Sequence, residues 1–104
     1  MVNKTNAKRI VIKLIKELEK NNIPINKSYV FGSIANGTAK THSDIDVALI
    51  SKSFSGFKYE DRKKINPFIL KINTNIEAHP FTIKEFSSNN PLVKEILKTG
   101  IKIL

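Results

Sequence analysis

Residues 31–47 read FGSIANGTAKTHSDIDV, and both ends of this stretch suit the binding of phosphate or metal. Gly32 and Ser33 follow an apolar segment, and ten residues separate them from the acidic triplet Asp-Ile-Asp at 44–46. Glycine lets the backbone approach a phosphate closely, and the serine hydroxyl is a rotatable hydrogen-bond donor. We therefore expect a phosphate-binding turn at the first position and a pair of carboxylates at the second.

The acidic triplet opens the clearest strand pattern of the chain, from Asp44 to Ile50. Side chains alternate between the two faces of a strand, so Asp44 and Asp46 are expected on one face, ~6.6 Å apart along the backbone. Two carboxylates on one face repel unless a cation lies between them. Mg²⁺ prefers carboxylate and phosphate oxygens, and a pair of such ions suits displacement at phosphorus. An isolated Asp-x-Asp is more often a polar strand face, so the spacing to Gly32 carries the prediction.

The remaining periodicity predicts a small mixed sheet with helices packed on it, an α+β fold. Predicted helices cover Asn6–Asn21, Tyr59–Ile72 and a segment from Pro91, capped by Asn90, to about Thr99, with one helical turn at Ser33–Gly37. Further strands are predicted at Lys27–Phe31, Asn75–His79 and, at an edge, Ile101–Leu104, with loops at Thr38–Ser43 and Ser51–Phe57. Pro67 either kinks the second helix or starts its second half with Asn66 as the cap. Thr82 and Glu85 have the spacing of a capping box.

Composition narrows the class of protein. The 104 residues, 40% hydrophobic, suit a single domain over 1–104. The absence of cysteine excludes disulfides, thiolate metal sites and cysteine nucleophiles. No signal peptide or membrane-spanning segment is apparent, so we expect a cytoplasmic protein with no membrane partner. Eighteen Lys+Arg against nine Asp+Glu give a net charge of +9, which favours acidic partners or is simply a solvated lysine-rich surface.

The motif as a whole resembles that of a known family. Residues 31–47 match, without a gap, the signature Gly-Ser, ten residues, Asp-x-Asp. In this the chain is similar to the minimal nucleotidyltransferase (MNT) branch of the superfamily that includes DNA polymerase beta, and its length and element order also fit. The resemblance implies the polymerase beta-like nucleotidyltransferase fold, two Mg²⁺ ions and ATP as the substrate.

The resemblance also implies roles for individual residues. Gly32 and Ser33 would contact nucleotide phosphates, and Asp44 and Asp46 would bind metal as catalytic carboxylates. The family places a third acid on the next core strand, and Glu77 is the candidate because it opposes the apolar face of that strand. It would complete the metal site and help to deprotonate the attacking hydroxyl. The alternative for Glu77 is an ordinary surface glutamate of a strand.

Three other residues bear on the predicted site. Asn36 stands where many relatives carry a basic residue, but its amide can still donate to a phosphate, so it joins the expected nucleotide-binding set. His42 is expected to be solvated in its loop rather than a ligand. His79 shares a strand face with Glu77, yet we expect it at the end of its strand without a catalytic role.

Two functions follow from the resemblance and the charge. The first is transfer of AMP, or another nucleoside monophosphate, to a hydroxyl of a partner protein, with the chain as antitoxin to a HEPN-domain toxin ribonuclease in an oligomer or hetero-complex. The alternative is a catalytically weak binding module that sequesters a partner protein or nucleic acid. For nucleic acid, the expectation of no exposed aromatic platform rests on five residues placed mostly in the core: Tyr29, Phe31, Phe57, Phe68 and Phe81.

Overall fold

The computed structural model describes residues 3–39, 44–87 and 89–104. In chain order the elements are α1 (Lys4–Lys20), β1 (Lys27–Phe31), α2 (Ser33–Asn36), β2 (Ile45–Ile50), α3 (Lys58–Ile72), β3 (Ile76–Phe81), α4 (Pro91–Thr99) and β4 (Ile101–Lys102). Each predicted helix and strand is therefore present, with small shifts at its ends. The predicted loop Thr38–Ser43 is described only in part, because residues 40–43 lie outside the described ranges.

The four strands form one mixed sheet in the order β3-β2-β1-β4. β1 is antiparallel to both of its neighbours, whereas β2 and β3 are parallel. The register places Phe31 opposite Asp46, Asp46 opposite Glu77, and Ala48 opposite His79. The predicted α+β mixed sheet with helices packed on it is confirmed.

One face of the sheet carries the larger core, beneath α1 and α3. The apolar residues of α1 recur at helical spacing, which gives that helix one continuous buried stripe. Asn3 caps α1, and its side chain accepts a hydrogen bond from the backbone N–H of Asn6 at 2.8 Å. The buried members that build this core are Ala7, Val11, Leu14, Ile15 and Leu18 of α1, Ile65 and Ile69 of α3, and Val30, Ile45, Val47, Leu49, Ile76 and Ala78 of the strands.

The opposite face of the sheet carries a smaller core, packed under α4. Asn90 caps α4 as predicted, accepting from the N–H groups of Leu92 and Val93. The members of the smaller core are Tyr29, Phe31, Ala48, Ile50, Phe81, Val93 and Ile96. Because strand side chains alternate, this face also carries Asp46, Glu77 and His79. The carboxylates of Asp46 and Glu77 therefore lie on the side of the sheet opposite the larger core.

Proline is accommodated differently in α3 and β3. α3 runs continuously from Lys58 to Ile72 with Pro67 inside it, so the alternative in which Asn66 caps a new helix is wrong. Pro67 is exposed, and water can satisfy the carbonyl that lacks a donor. β3 continues through Pro80, past the predicted end at His79. β3 is an edge strand, where a residue without an N–H group is tolerated.

The segment after β3 and the start of α3 test two further predictions. The capping box is confirmed, since Thr82 N donates to Oε1 of Glu85 at 2.9 Å and Glu85 N donates to Oγ1 of Thr82 at 3.1 Å. The placement of Phe57 in the core is wrong, because its side chain is 73% exposed at the start of α3. Among the helices of the described ranges, none combines the length and hydrophobicity that crossing a membrane requires.

Candidate active site

Asp46 and Glu77, the second residues of β2 and β3, lie side by side in the sheet. The two strands are parallel, and their register makes these residues direct partners. Both project from the face of the smaller core, where Asp46 is half-buried and Glu77 is exposed. Neighbouring carboxylates repel unless a cation or a proton lies between them. A cation bound between Asp46 and Glu77 would therefore relieve their repulsion.

His79 joins this acidic pair, which the sequence interpretation did not anticipate. Its Nε2 lies 3.4 Å from Oδ1 of Asp46. One ligand atom from each of Asp46, Glu77 and His79 lies within 4.8 Å of the other two. The side chains of Asp46 and His79 are only 26% and 22% exposed. Glu77 and His79 lie two residues apart on one strand face, and this spacing was the signal in the sequence that they could act together. The strand was predicted to end at His79, so no role was assigned to the histidine.

Gly32 provides the space that the Asp46 carboxylate occupies. A Cβ atom at Gly32 would lie 2.5 Å from Oδ2 and 3.3 Å from Cγ of Asp46, which is closer than side chains tolerate. Gly32 also has φ 75° and ψ −148°, a conformation that is essentially restricted to glycine. The register explains the contact, since Phe31 is the partner of Asp46 and Gly32 follows it directly.

The other residues expected in the site lie around this centre. Ser33 begins α2 and is half-buried, whereas Asn36 ends α2 and is exposed. Asp44 is exposed and lies one residue before β2, outside the close group formed by Asp46, Glu77 and His79. His42 lies in the undescribed residues 40–43. The structure thus brings Glu77 to Asp46, and leaves Asp44 at the solvent edge of β2.

The donor atoms fit a divalent cation. Two carboxylates and one imidazole supply oxygen and nitrogen ligands from the adjacent strands β2 and β3, both of which are fixed by sheet hydrogen bonds. A pair of carboxylates beside a glycine-bounded turn is an arrangement suited to metal-assisted transfer at phosphorus. The fold and this group of residues are of the kind expected in a protein that acts on phosphate-bearing substrates.

The comparison with protein families agrees with this class. The family described as "Polymerase beta, Nucleotidyltransferase" matches residues 13–104. The chain belongs to this nucleotidyltransferase family, whose members are transferases. Comparison with curated proteins gave no significant match.

Several solved structures share this fold. The chain is similar to a candidate nucleotidyltransferase from Sulfolobus solfataricus, with a TM-score of 0.68, 18% identity and coverage of 94% of this chain and 79% of the other. It is also similar to a toxin–antitoxin structure containing AMP-PNP, with a TM-score of 0.58, 22% identity and coverage of 93% and 72%. A toxin–antitoxin MntA-HepT structure gives a TM-score of 0.56, 17% identity and coverage of 97% and 72%. At these identities the likeness establishes the shared fold.

The sequence interpretation also missed a buried carboxylate, that of Asp61, and its role is structural. Asp61, in the first turns of α3, is buried with 3% of its surface exposed. It accepts hydrogen bonds from Ser55 N, Ser55 Oγ and Gly56 N at 2.8, 2.9 and 3.0 Å. These bonds fix the loop between β2 and α3, on the side of α3 that faces the larger core. No helical or strand pattern of apolar residues marks such a buried acid.

Proposed function

We propose that this chain is a metal-dependent nucleotidyltransferase that transfers AMP from ATP to a hydroxyl group of a HEPN-domain partner protein. The observation that carries the proposal is the direct pairing of Asp46 with Glu77 beside Gly32. Membership of the nucleotidyltransferase family supplies the class of reaction. The acidic pair supplies a reason for the metal, because two neighbouring carboxylates repel each other and a cation between them relieves the repulsion.

The reaction forms a bond between the acceptor oxygen and the α-phosphorus and breaks the bond from that phosphorus to the β-phosphate oxygen. Pyrophosphate leaves with the electron pair of the broken bond. Asp44, Asp46 and Glu77 are the proposed ligands, and a divalent ion held by them would supply charge stabilisation to the phosphate oxygens. Glu77 is exposed next to Asp46, where it can accept the proton of the attacking hydroxyl.

The nucleotide is proposed to lie over α2. Gly32 and Ser33 begin this turn immediately after β1, and Gly32 already contacts the Asp46 carboxylate. The Ser33 hydroxyl and the exposed Asn36 amide are donors of the kind that phosphate oxygens accept. Asn36 is neutral, so it gives less electrostatic attraction to a triphosphate than a basic residue would.

The partner is proposed from the kind of proteins that share this fold. Two of the similar structures are toxin–antitoxin proteins, and one of these contains AMP-PNP, an analogue of ATP. The net charge of +9 suits an acidic acceptor surface. The acceptor is accordingly proposed to be a hydroxyl-bearing side chain of a HEPN-domain protein, for which the product of an adjacent gene is the first candidate.

A label-transfer assay tests this proposal. The chain is incubated with the protein encoded by the adjacent gene, with ATP and with Mg²⁺ or Mn²⁺. ATP labelled at the α-phosphate is expected to label the partner, whereas ATP labelled at the γ-phosphate is not, which separates AMP transfer from phosphorylation. Asp46→Ala should abolish the transfer, and Glu95→Ala, on the exposed surface of α4, should retain it. Equal transfer by Asp46→Ala, or none by the wild type with any nucleotide, would contradict the proposal.

A groove on α3 favours the second candidate, a binding module. It is lined by Tyr59, Arg62, Lys63, Asn66, Pro67 and Leu70. Tyr59 and Leu70 are 75% and 68% exposed, so an aromatic ring and two cations share one open surface. α3 packs on the larger core, on the opposite side of the sheet from Asp46. Salt-dependent RNA binding that Arg62→Ala weakens and Asp46→Ala leaves intact would favour this function over catalysis.

A further inference from the structure

His79 occupies a position from which it can act on the same ion as the acidic pair. It lies two residue pairs beyond Asp46–Glu77 along the strands, opposite Ala48 and on the same face as both acids. Its ring packs edge-on against Phe31, with centroids 5.0 Å apart and planes at 62°. This contact limits the rotation of the imidazole and leaves Nε2 directed towards Asp46.

The distance between His79 and Asp46 distinguishes two roles for the imidazole. A charge-assisted hydrogen bond from histidine to a carboxylate is ~2.7–2.9 Å long. The observed separation of 3.4 Å between Nε2 and Oδ1 is clearly longer. Two atoms that each lie ~2.1 Å from one ion are separated by ~3.0 Å when adjacent in an octahedron and ~3.4 Å in a tetrahedron. The separation is thus longer than a direct charge-assisted hydrogen bond, and a movement of ~0.4 Å would bring both atoms to the spacing of adjacent ligands on an octahedral ion such as Mn²⁺.

We infer that Nε2 of His79 is a ligand of the ion bound by Asp46 and Glu77, and that it gives this site a preference for Mn²⁺ over Mg²⁺. The inference rests on the metal site of the proposed function, and it adds a nitrogen ligand to the expected carboxylates. The three ligand atoms lie within 4.8 Å of one another, and adjacent ligands of an octahedral ion are ~3.0 Å apart, so the side chains would move together by at most ~1.8 Å to bind one ion.

The preference follows from the chemistry of the donors. Mg²⁺ is a hard ion that takes oxygen ligands and gives up its water reluctantly. Mn²⁺ accepts carboxylate oxygens equally well, and as a transition metal it gains more from an imidazole nitrogen. Replacing one oxygen ligand with Nε2 of His79 therefore lowers the affinity of the site for Mg²⁺ more than its affinity for Mn²⁺.

Electron paramagnetic resonance of bound Mn²⁺ tests the ligand directly, without measuring activity. The signal of unbound Mn²⁺ in a titration gives the dissociation constant. Electron spin-echo modulation of the bound ion detects a nitrogen atom bonded to it. The wild type is expected to show coordinated nitrogen, and labelling its histidines with ¹⁵N should replace that signal by the ¹⁵N pattern. This labelling needs no substitution, so it does not depend on how well a variant folds.

Substitutions then assign the nitrogen to one residue. His79→Gln should remove the nitrogen signal and weaken Mn²⁺ binding at least ~10-fold, with a smaller change for Mg²⁺. The matched control is His42→Gln, which alters the other histidine of the chain and should retain both the signal and the affinity.

Each outcome has a separate meaning. Bound Mn²⁺ without coordinated nitrogen, or a signal that only His42→Gln removes, would overturn the role of His79 while leaving the acidic metal site in place. Failure of the wild type to bind Mn²⁺ or Mg²⁺ at a site that requires Asp46 would instead count against the proposed function itself. Equal affinity of the wild type for Mn²⁺ and Mg²⁺ would contradict the preference.

Discussion

Gly32 and Asp46 are in such close contact that only a residue without a side chain fits at position 32. A Cβ atom there would lie 2.5 Å from Oδ2 of Asp46. The turn at Gly32 thus has a structural purpose besides any contact with phosphate. It holds the backbone of β1 against the carboxylate that pairs with Glu77, and it fixes where a bound ion would lie.

Gly32→Ala is expected to lower both stability and metal binding. The backbone conformation with φ 75° and ψ −148° costs a residue with a side chain ~1–3 kcal/mol, and the new methyl group displaces the Asp46 carboxylate. Urea unfolding and Mn²⁺ titration measure the two effects. Gly37→Ala is the control: Gly37 also has positive φ, 76°, but its Cβ would meet no atom within 4 Å. That variant should lose ~1 kcal/mol and bind Mn²⁺ normally. Normal binding by Gly32→Ala would argue against the steric role.

Asp46→Asn is expected to remove the stabilisation that a divalent ion gives the fold. An ion at 100 times its dissociation constant stabilises a folded protein by ~2.7 kcal/mol. Thermal unfolding with and without Mn²⁺ should show this gain for the wild type and little of it for the variant. Without metal, the variant should stay within ~1 kcal/mol of the wild type, because it removes the repulsion between Asp46 and Glu77 together with a weak contact to His79. If Mn²⁺ stabilised the variant as much as the wild type, the ion would have to bind elsewhere. Glu95→Gln is the control and should be stabilised by Mn²⁺ like the wild type.

Asp61→Asn is expected to destabilise the protein by ~1–3 kcal/mol. The buried carboxylate accepts three hydrogen bonds from Ser55 and Gly56, and an amide offers only one oxygen to these donors. Urea unfolding at neutral pH gives the change in free energy. The neighbouring Glu60 is exposed, so Glu60→Gln should change stability by no more than ~0.5 kcal/mol. Equal effects of the two substitutions would show that the loop does not depend on Asp61.

Glu85→Gln is expected to reduce the dependence of stability on pH in the acid range. The hydrogen bond from Thr82 N holds the pKa of the Glu85 carboxyl below its ordinary value of 4.5; burial opposes this, and Lys58 adds a smaller lowering. The folded pKa is below the unfolded one, so the ionised carboxylate contributes stability above pH 4.5, and this contribution disappears as the pH falls through the folded pKa.

The measurement for Glu85 is urea unfolding of wild type and variant from pH 7 to 3. The difference in unfolding free energy should be largest near neutrality and shrink below pH 4.5. Lys58→Gln is the control, because the backbone bond from Thr82 outweighs the ion pair, whose atoms are 3.6 Å apart. It should keep most of the pH dependence. A difference that is constant across this range would contradict the assigned cause.

Local patterns were sufficient for most of the fold. The helical spacing in α1, the alternation in β2, and the Asn90–Pro91 start of α4 each depend on neighbours in the chain, and each agrees with the structure. The extension of β3 through Pro80 was not predictable in this way. It depends on β3 lying at the edge of the sheet, and strand order is a property of the whole fold. The exposure of Phe57 likewise depends on which surfaces the other elements cover.

The sequence by itself determined the family signature, the α+β class and the choice of Asp44 and Asp46, because spacing and alternation are local; Glu77 was chosen from a predicted strand together with the family resemblance. Only the tertiary structure decided which of these groups meet. The parallel register of β2 and β3 brings Asp46 to Glu77 and His79, which are more than 30 positions away in the chain, and the antiparallel register of β1 brings Gly32 to the same carboxylate. Strand pairing is a long-range choice, fixed by burial of both sheet faces, and no local period encodes it.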